Sequence, residues 1–378
     1  MTAVTHRRPR LVGLDVTRAL ALVGVVIMNY HGYLNGSGAV AGPDGSLAQR
    51  WFDPWTGVLS TRFAATFVVV AGAGVSLLTE RSRTSTDLDT RRDARRDDRW
   101  RLIRRGVLLF GFGFLLDWIW PGTILFFYGA YFLAASVMFT LRTRWLIVVG
   151  SVAAVAGAAI QWWVLARRAD GHDVSWLTDP RTLSTRSPRG LLLDTFVNGT
   201  HPLLPWLAFL CAGMVLGRAL VGTDAAARLP RLAAIGAGTT AVTYLLNHVL
   251  TSGRSGDTVW VGVWSTRPFD RGLLYTIGTI GSSLAAVALV SMAAERWRDS
   301  GPVGVLRAAG ETTLSIYVAH VLVFRALVDR AGMVGATGLD TALLFAVGFW
   351  AFALMVAAWW QRFVGMGPLE RVYRRFGG

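Results

Sequence analysis

The sequence predicts an all-α, polytopic membrane protein with about ten transmembrane helices and both termini in the cytoplasm. Three observations predict this class. Of the 378 residues, 53% are hydrophobic, and the mean hydropathy is +0.44, which is too apolar for a soluble globular domain. The apolar residues fall into blocks of the length that crosses a hydrocarbon core. The 38 basic residues are all arginine, and they cluster in alternate connections between the blocks, as the positive-inside rule requires.

The apolar blocks can be placed in order along the chain. They lie at residues 12–34, 56–78, 102–118, 121–140, 145–165, 201–220, 231–250, 271–293, 312–329 and 339–361. The third and fourth blocks are separated only by a tight turn at Asp117, Pro121 and Gly122. Nothing small and cleavable follows the first block, so we expect it to be a membrane span and not a signal peptide.

The arginine clusters predict the orientation of a single domain, residues 1–378, in a cell inner or plasma membrane. Cytoplasmic segments are predicted at Arg7, Arg8 and Arg10, in an Arg/Asp-rich loop at 79–100, and in a basic tail at 362–378. The net charge of +15 is therefore spread over membrane-proximal connections, which favours contact with anionic lipid headgroups. Because no single soluble basic face exists, the sequence argues against a nucleic-acid partner.

The first block carries polar residues that a membrane span rarely contains. Asp15 and Arg18 lie near its start, and Asn29 and His31 near its end. A charged residue inside a span costs on the order of 2 to 3 kcal/mol of insertion free energy unless it is partnered. Asp15 and Arg18 are three residues apart and share a helix face, which is also the spacing of an intrahelical ion pair. His31 can act as a base or nucleophile, or it can be an interfacial histidine bonded to loop carbonyls.

Other polar residues within the blocks are weaker candidates. Arg62 can orient a carboxylate or a sugar hydroxyl, or its side chain can extend to the interface. His201, before Pro202, fits the start of a helix as well as it fits a binding site. Tyr317 and His320 share a helix face in one span with Glu311, either as a buried hydrogen-bonded pair or as a channel lining. The glycine pairs Gly72/Gly74 and Gly111/Gly113 indicate close helix packing, and no metal cluster or P-loop is present.

Several sequence blocks, in order along most of the chain, resemble one family. They are Gly13–Leu22 with Met28–Tyr30, Arg62–Ala64 with Val70–Gly74, His201–Trp206 with Gly213–Arg218, Gly310–His320, and Gly367–Glu370. This ordered set resembles the YeiB-like superfamily, which includes the lysosomal heparan-α-glucosaminide N-acetyltransferases and bacterial membrane proteins. The resemblance implies a transmembrane acyltransferase that takes an acetyl or other acyl group from cytoplasmic acyl-CoA to an acceptor on the far side.

The resemblance also suggests roles for individual residues. His31 would be the base or acyl-accepting nucleophile, with Asn29 polarising the acyl carbonyl once the two side chains converge where the helix frays. Arg18 would meet the acyl-CoA phosphates, with its partner Asp15 beside it in the donor site, and Arg62, His201, Tyr317 and His320 would line the substrate path. The acceptor would be an amine or hydroxyl on a small molecule or glycan, no metal is expected, and a homodimer is compatible with the sequence. The alternatives are a transporter or exporter of a small or lipid-like solute, and a catalytically silent envelope protein.

Overall fold

The computed structural model describes residues 12–36, 47–178, 187–222, 224–335 and 338–377, and these residues form helices and turns without a strand. The α-helices are α1 Val12–Gly36, α2 Leu47–Phe52, α3 Arg62–Leu78, α4 Glu80–Thr84, α5 Leu88–Asp117, α6 Leu125–Met138, α7 Thr143–Ala169, α8 Ser175–Thr178, α9 Pro188–Leu193, α10 Leu203–Ala219, α11 Ala225–Thr251, α12 Thr258–Val263, α13 Leu273–Arg296, α14 Gly301–Glu311, α15 Thr313–Phe324, α16 Leu339–Phe363 and α17 Pro368–Gly377. Asp194–Asn198 and Arg325–Arg330 are π-helical, and Pro268–Asp270 is a 3₁₀ turn. The predicted all-α class is confirmed, whereas the predicted cluster Arg7, Arg8 and Arg10 lies outside the described residues.

Each predicted apolar block overlaps a helix, but not every helix has the length of a membrane span. In the described part of the chain, α1, α7, α13 and α16 are long and apolar enough to cross a membrane. Two bent pairs raise this number to six if each is one broken span: Pro188–Asn198 with α10, at 52°, and α14 with the segment Thr313–Arg330, at 79°. Helix α6 has 14 residues, about 21 Å, which is shorter than a hydrocarbon core of about 30 Å. The count of ten spans and the orientation of the termini stay predictions.

Helix α1 lies at the centre of the bundle and packs against α3, α13, α14, α15 and α16. Its first turns adjoin the end of α13, where Gly13 approaches Ser291, and its middle adjoins the start of α3, where Gly24 approaches Phe63. We call the end of the bundle that holds Asp15 and Arg18 the Arg18 end, and the opposite end the His31 end. Helix α1 therefore runs between the two ends, antiparallel to α3 and α13.

Glycine allows two helix pairs to approach closely. A Cβ on Gly72 of α3 would lie 2.3 Å from the Leu210 carbonyl oxygen of α10, and a Cβ on Gly113 of α5 would lie 2.2 Å from the Phe126 nitrogen of α6. Both contacts agree with the predicted packing role of these glycines. The other glycine of each predicted pair has no such close contact: a Cβ on Gly111 would meet no atom of a neighbouring element within 4 Å, and a Cβ on Gly74 would meet only Arg18 Nη2, at 3.9 Å.

The Arg/Asp-rich segment 79–100 is helical and forms α4 and the first part of α5. Asp87 begins α5 by accepting a hydrogen bond from the Thr90 nitrogen, at 2.9 Å. Asp98 is buried and pairs with Arg101 at 3.2 Å, and burial raises the pKa of the Asp98 carboxyl against the opposing effect of the Ser82 hydrogen bond and of Arg101. The segment is therefore a packed helical connection with a solvated outer face.

The helix is interrupted at Thr312, between α14 and α15. Glu311 ends α14, where it pairs with Arg307 at 3.1 Å, so it does not share an uninterrupted helix with Tyr317 and His320 as the sequence suggests. The start of α15 is closed by Glu370 of α17, which accepts hydrogen bonds from the Leu314 and Ser315 nitrogens at 2.7 and 3.0 Å. Glu370 thus caps the helix that carries Tyr317 and His320 and holds the terminal helix against it.

We expect Glu370→Ala to lower the free energy of unfolding by about 1 to 2 kcal/mol, because it leaves the first N–H groups of α15 without their acceptor. Glu370→Gln should recover part of the loss, since its carbonyl oxygen still accepts. Thermal unfolding of the purified protein in detergent measures the effect. Arg375→Ala, at an exposed position of α17, is the matched control. Equal stability of Glu370→Ala and the control would contradict the capping role.

Candidate functional site

At the Arg18 end, polar groups of α1 are partnered within the bundle. Arg18 Nη1 lies 3.3 Å from Asp15 Oδ1, and it donates to the Gly310 carbonyl oxygen at 3.5 Å. The Asp15 side chain is buried, whereas 24% of the Arg18 side chain is exposed. The ion pair expected from the spacing is therefore present, and part of the Arg18 side chain stays accessible.

Other polar side chains gather around Arg18. Tyr128 and Tyr373 interact with the Arg18 charge, although neither hydroxyl is hydrogen-bonded to it. The Tyr128 hydroxyl is buried and has no hydrogen-bond partner among the described residues, and the same holds for Arg105 Nε. Arg105 lies over the Tyr373 ring at 5.1 Å. The Tyr128 hydroxyl and Arg105 Nε are therefore donors without an acceptor among the described residues, and an anionic or amide-containing ligand could satisfy them.

At the other end, His31 is fully buried, and its ring is held in one orientation. Its Nδ1 lies 2.8 Å from the Phe52 carbonyl oxygen. Because a carbonyl oxygen only accepts, Nδ1 carries the proton and Nε2 has the free lone pair. Nε2 is buried and has no hydrogen-bond partner among the described residues. This is the geometry of a general base or nucleophile whose tautomer is set by a second group.

Asn29 does not turn toward His31. Helix α1 continues to Gly36 without fraying, so the two side chains leave the helix in different directions and the expected convergence is absent. Asn29 Nδ2 lies 3.1 Å from His320 Nε2, and His320 Nδ1 bonds to the Tyr317 carbonyl oxygen. The same reasoning puts the His320 proton on Nδ1, so that Nε2 accepts one N–H from Asn29. The second N–H of the Asn29 amide is left for another acceptor.

An aromatic shell surrounds the Asn29–His320 pair. Tyr30 stacks on Phe345 at 4.4 Å and donates to the His320 carbonyl oxygen at 3.1 Å. Trp120 meets the His320 ring edge-on at 5.6 Å. The Tyr317 hydroxyl is engaged with Thr123, at 3.0 Å, so the Tyr317–His320 link runs through the backbone carbonyl and not through the hydroxyl. The shell buries the His320 ring fully and strengthens the electrostatic interactions made by that ring.

The structure places the two remaining candidates, Arg62 and His201, at the starts of α3 and α10. Arg62 is 7% exposed, and its Nη2 donates to the Tyr244 hydroxyl at 2.9 Å. His201 packs edge-on against Trp206 at 4.5 Å, and its carbonyl oxygen accepts from the Tyr131 hydroxyl at 2.5 Å. His201 Nδ1 is buried without a partner among the described residues. His201 therefore has a packing role at the start of α10, and its unpartnered ring nitrogen could also bind a ligand.

Sequence reasoning missed the groups that orient the candidates. The Phe52 carbonyl lies on the short helix α2, between the apolar blocks 12–34 and 56–78, and no side-chain pattern could reveal a backbone carbonyl. Arg271 was also missed, although its guanidinium donates to the Gly199 carbonyl oxygen at 2.7 Å and to the Asn198 carbonyl oxygen at 3.2 Å. The sequence does not show that the side chain of an arginine in a loop is buried. In the described ranges, no group of three or more His, Cys, Asp or Glu side chains could hold a metal ion.

Comparison with family models identifies the family of the chain. Residues 10–250 match the model described as "Heparan-alpha-glucosaminide N-acetyltransferase, catalytic", which covers more than half of the chain. Residues 216–377 match a second model, described as "Protein of unknown function (DUF418)". A search of curated proteins gave no match. The resemblance predicted from the ordered sequence blocks is confirmed, and the chain belongs to the family of heparan-α-glucosaminide N-acetyltransferase catalytic domains, a family of transmembrane acetyltransferases.

Proposed function

We propose that the protein transfers an acyl group from acyl-CoA bound at the Arg18 end to an amine or hydroxyl acceptor at the His31 end. The observation that carries the proposal is the state of His31, whose Nδ1 is fixed by a carbonyl and whose Nε2 is buried and free. A histidine held in this way is ready to take a proton. Membership of the acetyltransferase family favours acetyl-CoA as the donor.

The Arg18 end suits the charged part of the donor. Arg18 and Arg105 supply guanidinium groups, and the Tyr373 and Tyr128 hydroxyls supply further donors beside them. Guanidinium groups bind phosphate oxygens through paired, charge-assisted hydrogen bonds. Arg18 and His31 are thirteen residues apart on one helix, about 20 Å along its axis. The acyl arm of the donor would extend from the first group of residues toward the second.

The chemistry is a proton-coupled acyl transfer. The acceptor nitrogen or oxygen attacks the thioester carbonyl while His31 Nε2 takes its proton, and the new acyl bond forms as the carbon–sulfur bond breaks. The departing CoA sulfur then receives that proton from His31, so the base is restored. If His31 attacks first, an acyl-histidine forms and the acceptor displaces it in a second step. Asn29 faces His320 and not His31, so the donor that would stabilise the carbonyl oxygen as it becomes negative is a group other than the Asn29 amide.

Donor binding tests the proposal directly. We expect acetyl-CoA to raise the unfolding temperature of the purified protein in detergent, and Arg18→Gln to weaken its binding about tenfold, the loss of about one charge-assisted hydrogen bond. Arg18→Lys keeps the partner of Asp15 and should recover part of the affinity. Arg375→Gln, an exposed arginine of α17, is the control. If neither acetyl-CoA nor longer acyl-CoAs bind the wild-type protein, the proposed function is wrong.

A further inference from the structure

We infer that the first turn of α3 is an oxyanion-binding site, formed by Arg62 with Thr61, Tyr244 and Tyr275, and that it binds an acidic group of the acceptor. The inference rests on the proposed function and names the chemical class of the acceptor. Three separate observations on the described residues lead to it: a buried cation without a counter-charge, an uncapped helix start, and a strained residue between them.

The first observation is the Arg62 guanidinium. Arg62 is more than nine-tenths buried, and its Nη2 bonds to the uncharged Tyr244 hydroxyl, with the guanidinium 5.6 Å from the Tyr244 ring. Its Nη1 is buried with no hydrogen-bond partner, and the described residues place no carboxylate within ion-pair distance. A buried charge without a counter-charge is unfavourable, so an anion at Nη1 would complete the site.

The second observation is the helix start itself. Arg62 is the first residue of a 17-residue helix, and no side chain caps its first turn. Thr61, at the capping position, instead directs its hydroxyl to the Tyr275 hydroxyl, at 2.7 Å. The Arg62 nitrogen bonds to the Ser60 carbonyl oxygen at 2.7 Å, so the N–H groups left for a ligand are those of Phe63 and Ala64. These groups and the positive end of the helix dipole lie beside a positive guanidinium. Two positive groups at one buried place repel each other and together attract an oxyanion.

The third observation is the backbone of Thr61. Its φ of 58° is in the left-handed region, where a β-branched residue is rarely found. Tyr275, which is fully buried, holds the Thr61 hydroxyl in place. Strain of this kind persists where the surrounding structure fixes it, and it is concentrated at ligand sites. The strained turn therefore sets the position of the first turn of α3 and of the Arg62 side chain that it carries.

The same segment ties this oxyanion site to His31. The Phe52 carbonyl that fixes His31 lies ten residues before Arg62, and between them the Ser60 hydroxyl donates to the Pro54 carbonyl oxygen at 2.5 Å. Both sites therefore lie at the His31 end, where the acceptor would bind. An acceptor with a carboxylate or sulfate beside its reacting amine or hydroxyl could engage Arg62 while the reacting group faces His31.

Binding of a sugar acid and its neutral counterpart tests the inference without any transfer reaction. In nanodiscs of zwitterionic lipid, we expect galacturonate to bind the wild-type protein at least tenfold more tightly than galactose. Arg62→Gln should remove this difference, and Arg62→Lys, which keeps the charge, should retain part of it. Arg267→Gln removes an exposed arginine of the 251–271 connection, beside the start of α13, and should leave the difference unchanged. Equal affinity of the wild-type protein for the two sugars would overturn the inference.

Two further arms separate the possible outcomes. If nanodiscs of anionic lipid abolish galacturonate binding, the site binds a lipid headgroup, and the assignment to the acceptor is wrong. Acetyl transfer from acetyl-CoA to glucosamine is measured separately. If transfer is present and galacturonate binding does not depend on Arg62, the site inference fails while the proposed function stands. If Arg62-dependent binding is present but no acyl acceptor reacts, the proposed function fails while the oxyanion site stands.

Discussion

His31→Ala is expected to lower the rate of acyl transfer about 10³-fold and to change acetyl-CoA affinity by less than about twofold. Loss of a positioned general base typically reduces the rate by between about 10² and 10⁴. The buried Nε2 has no hydrogen-bond partner among the described residues, so its removal breaks no bond that the structure shows at that atom. The donor phosphates would bind at the far end of α1, which is why donor affinity should be nearly unchanged.

The measurement is transfer of labelled acetyl from acetyl-CoA to an amine acceptor in proteoliposomes, with acetyl-CoA binding measured in parallel. His172→Ala is the matched control, because His172 is an exposed histidine in the connection after α7. Acid-quenched protein that retains label in the wild type and loses it in His31→Ala would indicate the two-step route. Transfer by His31→Ala at the wild-type rate would remove His31 from the reaction.

The ion pair of the first helix could be predicted from the sequence because its two residues are close together in the chain. Asp15 and Arg18 are one helical turn apart, so their pairing follows from helix geometry alone. The partners of Asn29 and His31 could not be read in this way. Asn29 meets His320, 291 positions later, and His31 meets a backbone carbonyl of a short helix. Such contacts depend on how α1, α2 and α15 pack, which residue periodicity does not determine.

The sequence predicts the fold class more reliably than the number of membrane spans, for a related reason. Hydropathy detects apolar blocks, but it does not detect where a block bends. The block 312–329 follows a sharp break at Thr312, and α15 passes into a π-helical segment at Arg325. Glu311 appears continuous with Tyr317 in the sequence, although the break separates them. Glycine spacing is similarly ambiguous, since Gly113 packs against α6 and Gly111 two residues earlier touches nothing.

The Asn29–His320 pair gives the site a second histidine with a role different from that of His31. His320 Nε2 is occupied by the Asn29 amide, and Nδ1 is occupied by the Tyr317 carbonyl. With both nitrogens engaged in an aromatic shell, His320 is a positioning residue and not a base. It fixes which way the Asn29 amide points, and that direction differs from the direction of the His31 side chain.

We therefore expect Asn29→Ala to lower the free energy of unfolding by about 1 to 3 kcal/mol, because it leaves the buried Nε2 of His320 without its donor. His320→Phe should cost less, because Asn29 is only partly buried and its released N–H can bond to water. His320→Gln should recover most of this loss, since its carbonyl oxygen can accept the same N–H, and thermal unfolding in detergent measures all three variants. His248→Phe, at an exposed position of α11, controls for the loss of an imidazole. A positioning role requires rescue by the acceptor-retaining variant, so equal stability of His320→Gln and His320→Phe would show that His320 acts only through packing.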